Sequence, residues 1–365
     1  MKITHMTLGM LRVPLLTPFK TALRTVSAIE DIVLMVHTDT GHIGYGEAPA
    51  TAVITGDTHG SIIDAIRHYI FPRLVGQDVA ELHHLTGLIQ TALEKNTSAK
   101  AAVEIAVHDL WGQLYGVPLY RLLGGGAPSI TTDITISVDG IDKMVADSLL
   151  AVERGFKALK IKVGKDIGSD VERVKAIHAA VAGRASLRLD ANQGWTAKQA
   201  VRALHQLEHA GIELDLIEQP VPARDLAGMR YLTARVHTPV MADESAFGPR
   251  EVLDLIRLRA ADIINIKLMK AGGISNALRI ADIAALHGVQ CMIGCMIETS
   301  ISVAAAAHVA VARADVITRV DLDGPALCQY NPVDGGVDFA GPDITVAADP
   351  GLGIHGVRGV ENIAA

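Results

Sequence analysis

The sequence predicts an α/β protein built around a parallel (β/α)-barrel, preceded by a region of α+β character. Three observations carry this. From about residue 130, short β-rich runs recur with helical stretches between most of them, and alternating β and α implies a parallel sheet. There are eight such runs, the strand number of a closed barrel. The first 125 residues keep no such alternation.

The chain opens with strands. "DIVLMVHTD", "TGH" and "IGYGEAP" read as a hairpin with Gly41 in the turn. "SIIDAIRHYIFPRLV" and "SAKAAVEIAVHDLWGQLYG" carry apolar residues at three- and four-residue intervals and read as helices. Gly116 and Pro118 end the second. The eight later runs are "TDITISV", "ALKIKVG", "SLRLDANQG", "LDLIEQP", "PVMADES", "DIINIKLMKAGG", "QCMIGCMIE" and "ITRVDLDGP". Stretches such as "VERVKAIHAAVAG", "AKQAVRALHQLEHAG", "PREVLDLIRLR" and "SNALRIADIAALHG" supply the intervening helices. "DITVAADPGLGI" reads as a further strand outside the rhythm. No low-complexity linker divides the regions, so they are expected to pack tightly.

Bulk properties narrow the function classes. With 365 residues, 49% apolar and 20% charged, the chain is globular and long enough for two domains or a barrel with additions. A formal charge of −7 argues against nucleic acid or an anionic membrane as the main partner. Cys291, Cys295 and Cys328 are odd in number and form no CxxC pair, as expected in a reducing compartment. The N-terminus has no continuous apolar run of a signal peptide, and "SVAAAAHVAVA" (302–312) is too short to span a membrane. A cytoplasmic location is the expectation. The fifteen histidines form no metal-binding motif, and His108 and His308 read as structural.

Four barrel strands end in a charge. Asp190 closes "LRLD", Glu218 "DLIE", Asp243 "VMAD" and Lys267 "INIK". The steps from Lys162 are 28, 28, 25 and 24 residues, each about one βα unit (190−162, 218−190, 243−218, 267−243). Successive strands therefore present a charged group at the same end, the C-terminal end where barrels place active sites. Three neighbouring carboxylates require a cation to stay ionised together. Asp190, Glu218 and Asp243 are all hard oxygen donors, a set suited to Mg²⁺.

Lys160 and Lys162 lie two apart on the strand before this trio, and so on one face, while Lys267 lies on the strand after it. The Lys160 ammonium and a divalent cation would both disfavour protonation of Lys162, so its pKa is expected to fall toward neutrality, as a general base requires. Two bases facing each other across one carbon can remove a proton from one face and return one to the other. Asp321 and Asp323 repeat the two-apart spacing on the eighth strand. Paired acids there can grip an ammonium group and would repel an anion.

Taken together, "KIKVG", "LRLDANQGW", "IEQPV", "MADES" and "INIKLMKAGG" resemble the enolase superfamily, in its muconate lactonizing enzyme subgroup, over nearly the whole chain. The resemblance implies an α+β N-terminal capping domain at 1–125 and a modified (β/α)7β TIM-type barrel at 126–325. A C-terminal segment at 326–365 would return to the capping domain. It implies abstraction of the proton α to a carboxylate, through an enolate stabilised by Mg²⁺. Carried over, Lys162 and Lys267 are the acid/base catalysts, and Asp190, Glu218 and Asp243 the metal ligands. Lys160 stabilises the substrate carboxylate, and Asn192 supports the metal shell.

The Asp321–Asp323 pair resembles the signature of dipeptide epimerases, where it holds the free α-amino group. Arg24, in "PFKTALRTV", falls where a cation would meet a glutamate side-chain carboxylate. Thr135 and the turn at Cys295 and Met296 match substrate-contacting positions, with the departure that a serine is expected where the chain has Cys295. The expectation is therefore a Mg²⁺-dependent dipeptide epimerase with L-Ala-D/L-Glu as best substrate, a homo-oligomer working on cell-wall peptides. Other dipeptide specificities, a muconate-type cycloisomerase and an N-succinyl amino acid racemase are the alternatives within the subgroup. A Schiff-base aldolase or a non-catalytic metal-stabilised binding protein are the alternatives outside it.

Overall fold

The computed structural model describes residues 1–21 and 24–364. Three antiparallel strands open it: β1 (Ile3–Lys20), β2 (Thr25–Thr38) and β3 (Ile43–Pro49). Gly41, with φ at 81°, makes the β2–β3 turn that the sequence predicts. The helix Thr97–Tyr115 packs on this sheet and ends at Gly116 in the left-handed region. The first predicted helix is instead three consecutive pieces, an α-turn (His59–Asp64), a π-turn (Ala65–Ile70) and a 3₁₀ turn (Phe71–Arg73). Pro72 sits in the last piece and lacks the N–H that a continuing α-helix would use.

A short strand β4 (Ser129–Thr131) precedes eight parallel strands in sequential order: β5 (Ile134–Ile136), β6 (Ala158–Lys162), β7 (Ser186–Asp190), β8 (Leu216–Glu218), β9 (Val240–Ala242), β10 (Ile263–Lys267), β11 (Gln290–Gly294) and β12 (Ile317–Asp321). All eight coincide with the predicted runs. Helices follow the first seven, and only a 3₁₀ turn (Gly324–Leu327) follows β12, which is the (β/α)7β pattern. Asp133 N–H to Val320 O (3.2 Å) and Leu322 N–H to Thr132 Oγ1 (2.8 Å) bring β12 round to β5. The strands are apolar on the face that meets the helices, and that face forms most of the core.

After the barrel come β13 (Val333–Gly335), β14 (Val337–Ala340), β15 (Asp343–Val346), β16 (Ile354–Val357) and β17 (Val360–Asn362). β15, predicted as a strand outside the rhythm, pairs with β14 and β4. β17 pairs antiparallel with β1. Two buried glutamates dock the N-terminal layer on the barrel. Glu47 of β3 accepts from Thr299 N–H (3.0 Å), Ser302 N–H (3.1 Å) and Ser302 Oγ (2.8 Å). Glu104 accepts from Ser275 N–H (2.8 Å) and Oγ (2.6 Å). These carboxylates take up free donors at helix N-termini and fix the layer over the barrel mouth.

Candidate active site

Lys162, Asp190, Glu218, Lys267 and Asp321 are each the last residue of their strand, and Asp243 follows β9 by one. Parallel register aligns them directly: Lys162 opposes Asp190, Asp190 opposes Glu218, and Gly294 lies between Lys267 and Asp321. One ring of charge results, with each member at most 5% exposed except Lys267 at 6%. Gly294 is required. A Cβ there would lie 2.8 Å from Asn265 Oδ1 and 3.0 Å from Lys267 Cε, so a larger residue would displace the lysine.

The charges are interleaved. Lys162 Nζ donates to Asp190 Oδ2 at 2.6 Å. Lys160 Nζ lies 2.7 Å from Glu218 Oε2, 2.6 Å from Asp321 Oδ2 and 3.3 Å from Asp190 Oδ2. Lys267 Nζ donates to Asp243 Oδ2 at 2.8 Å, and Lys270 Nζ is 2.6 Å from Asp243 Oδ1. Burial opposes the Lys160 and Lys267 ammonium groups, yet the acids around them hold both pKa values above the ordinary lysine range. Burial likewise opposes ionisation of Asp190, but Lys162 and Lys160 bring its carboxyl down to about 2. Glu218 moves the other way, to about 7, through burial and the charge of Asp190.

All predicted catalytic and substrate-binding residues border one cavity of about 50 Å³: Lys160, Lys162, Lys267, Thr135, Cys295, Asp321, Asp323 and Arg24. Asn192 and Met296 border it as well. Asp190, Glu218 and Asp243 stand behind the lysines. Asp321 faces Lys160, and Asp323 Oδ2 accepts the Thr135 N–H at 2.7 Å. Burial and the neighbouring Asp321 raise Asp323 to about 6. From the N-terminal layer, Phe19, Thr21, Arg24 and Ile54 complete the wall. The Lys162 ammonium lies 5.6 Å from the Phe19 ring centroid.

Among the described residues no three His, Cys, Asp or Glu side chains converge at metal-holding spacing, because each acid is drawn onto a lysine. The donors nevertheless fit a hard cation. Glu218 Oε2 and Asp243 Oδ1 sit within ion-pair distance of lysines but lack hydrogen-bond geometry, and Asn192 Oδ1 and Glu244 Oε2 have no hydrogen-bond partner. Four oxygens with free lone pairs, on or beside three consecutive strand ends, suit Mg²⁺. Asn192 reaches Asp190 through its N–H (2.9 Å) and, weakly, Glu244 through Nδ2 (3.5 Å).

Sequence reasoning missed three residues here. Asn265 Nδ2 donates to Glu218 Oε1 at 2.7 Å, Lys270 meets Asp243, and Glu244 is pushed to about 8 by burial beside Asp243 and Asp190. The signal for Asn265 was present. It lies two before Lys267, the same spacing that singled out Lys160 and Asp323.

Comparison with known proteins follows the same lines. Residues 5–124 match the N-terminal domain family of mandelate racemase / muconate lactonizing enzyme, and residues 143–357 match the enolase C-terminal domain-like family. An L-Ala-D/L-Glu epimerase of Clostridium acetobutylicum is 47% identical over 98% of this chain and 100% of its own length. A substrate-liganded structure of the L-Ala-D/L-Glu epimerase from Bacillus subtilis superposes with a TM-score of 0.96 at 47% identity, covering 98% of this chain and 99% of that one. The dipeptide epimerase from Enterococcus faecalis, complexed with Mg and L-Leu-L-Tyr, gives 0.94 at 40% identity, with 97% and 99% covered.

Proposed function

The chain belongs to the enolase superfamily, in the mandelate racemase / muconate lactonizing enzyme family, and from that premise we propose that it is a Mg²⁺-dependent dipeptide epimerase. It is an isomerase that inverts the α-carbon of the C-terminal residue. The observation that carries the reading is that Lys162 and Lys267, on strands four places apart, border one small cavity with the acid pair Asp321–Asp323.

In this reading the three acids Asp190, Glu218 and Asp243 hold the ion, with Asn192 and Glu244 beside them. Bound Mg²⁺ supplies positive charge that lets these acids ionise together and stabilises negative charge on the substrate carboxylate. Lys160, which lies beside Glu218 and Asp321, would orient the same carboxylate. Lys162 takes the α-proton from one face and Lys267 delivers a proton to the other, or the reverse, so either epimer serves as substrate. Asp321 and Asp323 hold the ammonium end, and Thr135 fixes Asp323. Proximity of both bases to one carbon supplies much of the rate.

Arg24 favours L-Ala-D/L-Glu. It is the one arginine bordering the cavity among the described residues, half-buried, and suited to a glutamate carboxylate. Such a substrate fits recycling of cell-wall peptides in the cytoplasm, and we propose the homo-oligomer as the working form. Among the described residues no helix is long and apolar enough to cross a membrane. NMR in D₂O with Mg²⁺ and a library of L,L-dipeptides tests the reading. It predicts loss of the C-terminal α-proton signal and growth of the L,D epimer, fastest for L-Ala-L-Glu. An absence of exchange in every dipeptide would overturn it.

A further inference from the structure

Asp170 lies outside the cavity, is fully buried, and belongs to none of the roles above. It sits in the first turn of the helix Ile167–Val181, yet its carboxylate turns toward the barrel mouth. Oδ2 accepts the Gly164 N–H at 2.8 Å and the Trp195 indole Nε1–H at 3.2 Å. Oδ1 accepts from Arg173 at 2.9 Å. One carboxylate oxygen therefore joins two loops. The first follows β6, and its Gly164 lies two residues after Lys162. The second follows β7 and carries Asn192.

The second loop is held in costly backbone. Asn192 and Gln193 have φ of 41° and 67°, the left-handed region that non-glycine residues rarely occupy. Gly194 packs so tightly on the first loop that a Cβ there would come within 2.2 Å of Gly164 O. Such an arrangement persists only where the surroundings over-determine it. Val163 N–H to Asp190 O (2.9 Å), Gln193 N–H to Gln219 O (2.8 Å) and Trp195 N–H to Pro220 O (2.9 Å) supply backbone support. The Asp170 oxygen is the side-chain acceptor common to both loops. Arg173 extends the brace, since its Nε donates to Asp139 O at 3.0 Å in the loop after β5.

We propose that Asp170 is a positioning residue for Lys162: by clamping the Gly164 and Trp195 donors it fixes the end of β6 and so the aim of that base. The inference rests on the two-base reading above. Lys267 stands on β10, with no contact to this clamp, so loosening the clamp acts on one face of the reaction only. A misplacement of about 1 Å at a reacting group costs roughly 100-fold.

The test compares α-proton exchange in D₂O from the two epimers of L-Ala-Glu, separately, at saturating Mg²⁺. The readout is the ratio of the Lys162-face rate to the Lys267-face rate. This ratio cancels loss of folded enzyme or of metal, which slow both faces alike. Lys162→Ala identifies the epimer whose proton faces Lys162. Asp170→Ala is expected to lower the ratio roughly tenfold, and Trp195→Phe, which removes only the indole donor, by roughly threefold. Asp170→Asn retains an acceptor oxygen and is expected to recover most of the ratio. A ratio unchanged in both Asp170→Ala and Trp195→Phe, with Lys162→Ala shifting it, overturns the role of Asp170 alone. A ratio unmoved by Lys162→Ala overturns the two-base reading and this inference with it. Should Asp170→Ala fail to fold, Trp195→Phe and Asp170→Asn decide the question.

Discussion

The barrel interior carries two buried ionic networks, one at each end, and they are built from different cations. At the mouth stand Lys160, Lys162, Lys267 and Lys270 among six acids. Toward the opposite end, Arg188 of β7 reaches Asp215 at 2.8 Å, Asp133 at 2.8 Å and Val320 O at 3.2 Å. Arg319 closes on the same Asp215 with contacts at 2.9 and 3.0 Å. Beside Arg188 a small apolar cluster of Leu216, Met241, Ile263 and Met292 fills the barrel.

Guanidinium groups stay protonated and fit carboxylates in a fixed fork, so the arginine network holds geometry and exchanges nothing. Ammonium groups are compact, can give up a proton, and pivot on flexible stems. The free lone pairs differ too. The mouth leaves oxygens of Glu218, Asp243, Asn192 and Glu244 without directed hydrogen bonds, whereas of the two acids at the other end only Asp133 keeps one. Burial of charge therefore says little about function by itself. The cation's chemistry and the unsatisfied acceptors separate a brace from a reaction centre.

The sharpest way to test that contrast is to remove one lysine. Lys162→Ala or Lys267→Ala should each lower epimerisation per folded molecule roughly 10²- to 10⁴-fold, the span of general acid–base catalysis. Epimerisation followed by polarimetry or NMR reads it directly. Asp321→Asn comes next. It should lower kcat/KM for dipeptides with a free amine by roughly 10- to 100-fold, the worth of a hydrogen bond to a charged group. An N-acylated dipeptide, which has no ammonium group for the pair to hold, should lose far less.

Arg188→Met reverses the pattern. It strands Asp133 and weakens the hold on Asp215, for a loss of about 3 kcal/mol in chemical denaturation. Asp133 lies within electrostatic reach of Asp321 and Lys160, so activity per folded molecule should fall, but by less than for Asp321→Asn. A drop as large as that of Asp321→Asn would merge the two networks into one. The last prediction concerns a buried titratable group with no ionic partner among the described residues, read as a pH dependence of stability and not of activity. Burial brings His308 down to about 4, and its Nδ1 accepts the Tyr120 N–H at 3.0 Å. A depressed folded-state pKa means that this contribution is complete above about pH 6.5 and is lost as pH falls toward 4, roughly 3 kcal/mol in all. His308→Leu should flatten the melting temperature across that window while leaving the mouth untouched.

Much of the mouth was legible in the sequence because barrel geometry converts spacing into position. Residues one βα unit apart arrive at one ring, and residues two apart share a face, so Lys160, Lys162, Asp190, Glu218, Asp243, Lys267, Asp321 and Asp323 announce themselves. The brace was less legible. Arg188 lies two before Asp190 and points the same way, but "LRLD" reads as a strand with one stray cation until Asp133 and Asp215 are seen beside it. Asp170 was hidden for another reason. It sits in a helix whose acidic first turn looks like ordinary dipole compensation, and its partners come from two loops whose contact only the fold creates. The broken helix at residues 59–73 was missed because periodicity weighs side chains, while Pro72 acts on the backbone.

The central claim is that two lysines serve opposite faces of one carbon. The most direct measurement incubates each epimer of L-Ala-Glu in D₂O with Mg²⁺ and Lys162→Ala or Lys267→Ala, and follows the C-terminal α-proton. The account predicts a complementary pattern: each variant exchanges one epimer and spares the other, and neither interconverts them. Exchange of both epimers by either variant, or of the same epimer by both, would contradict it.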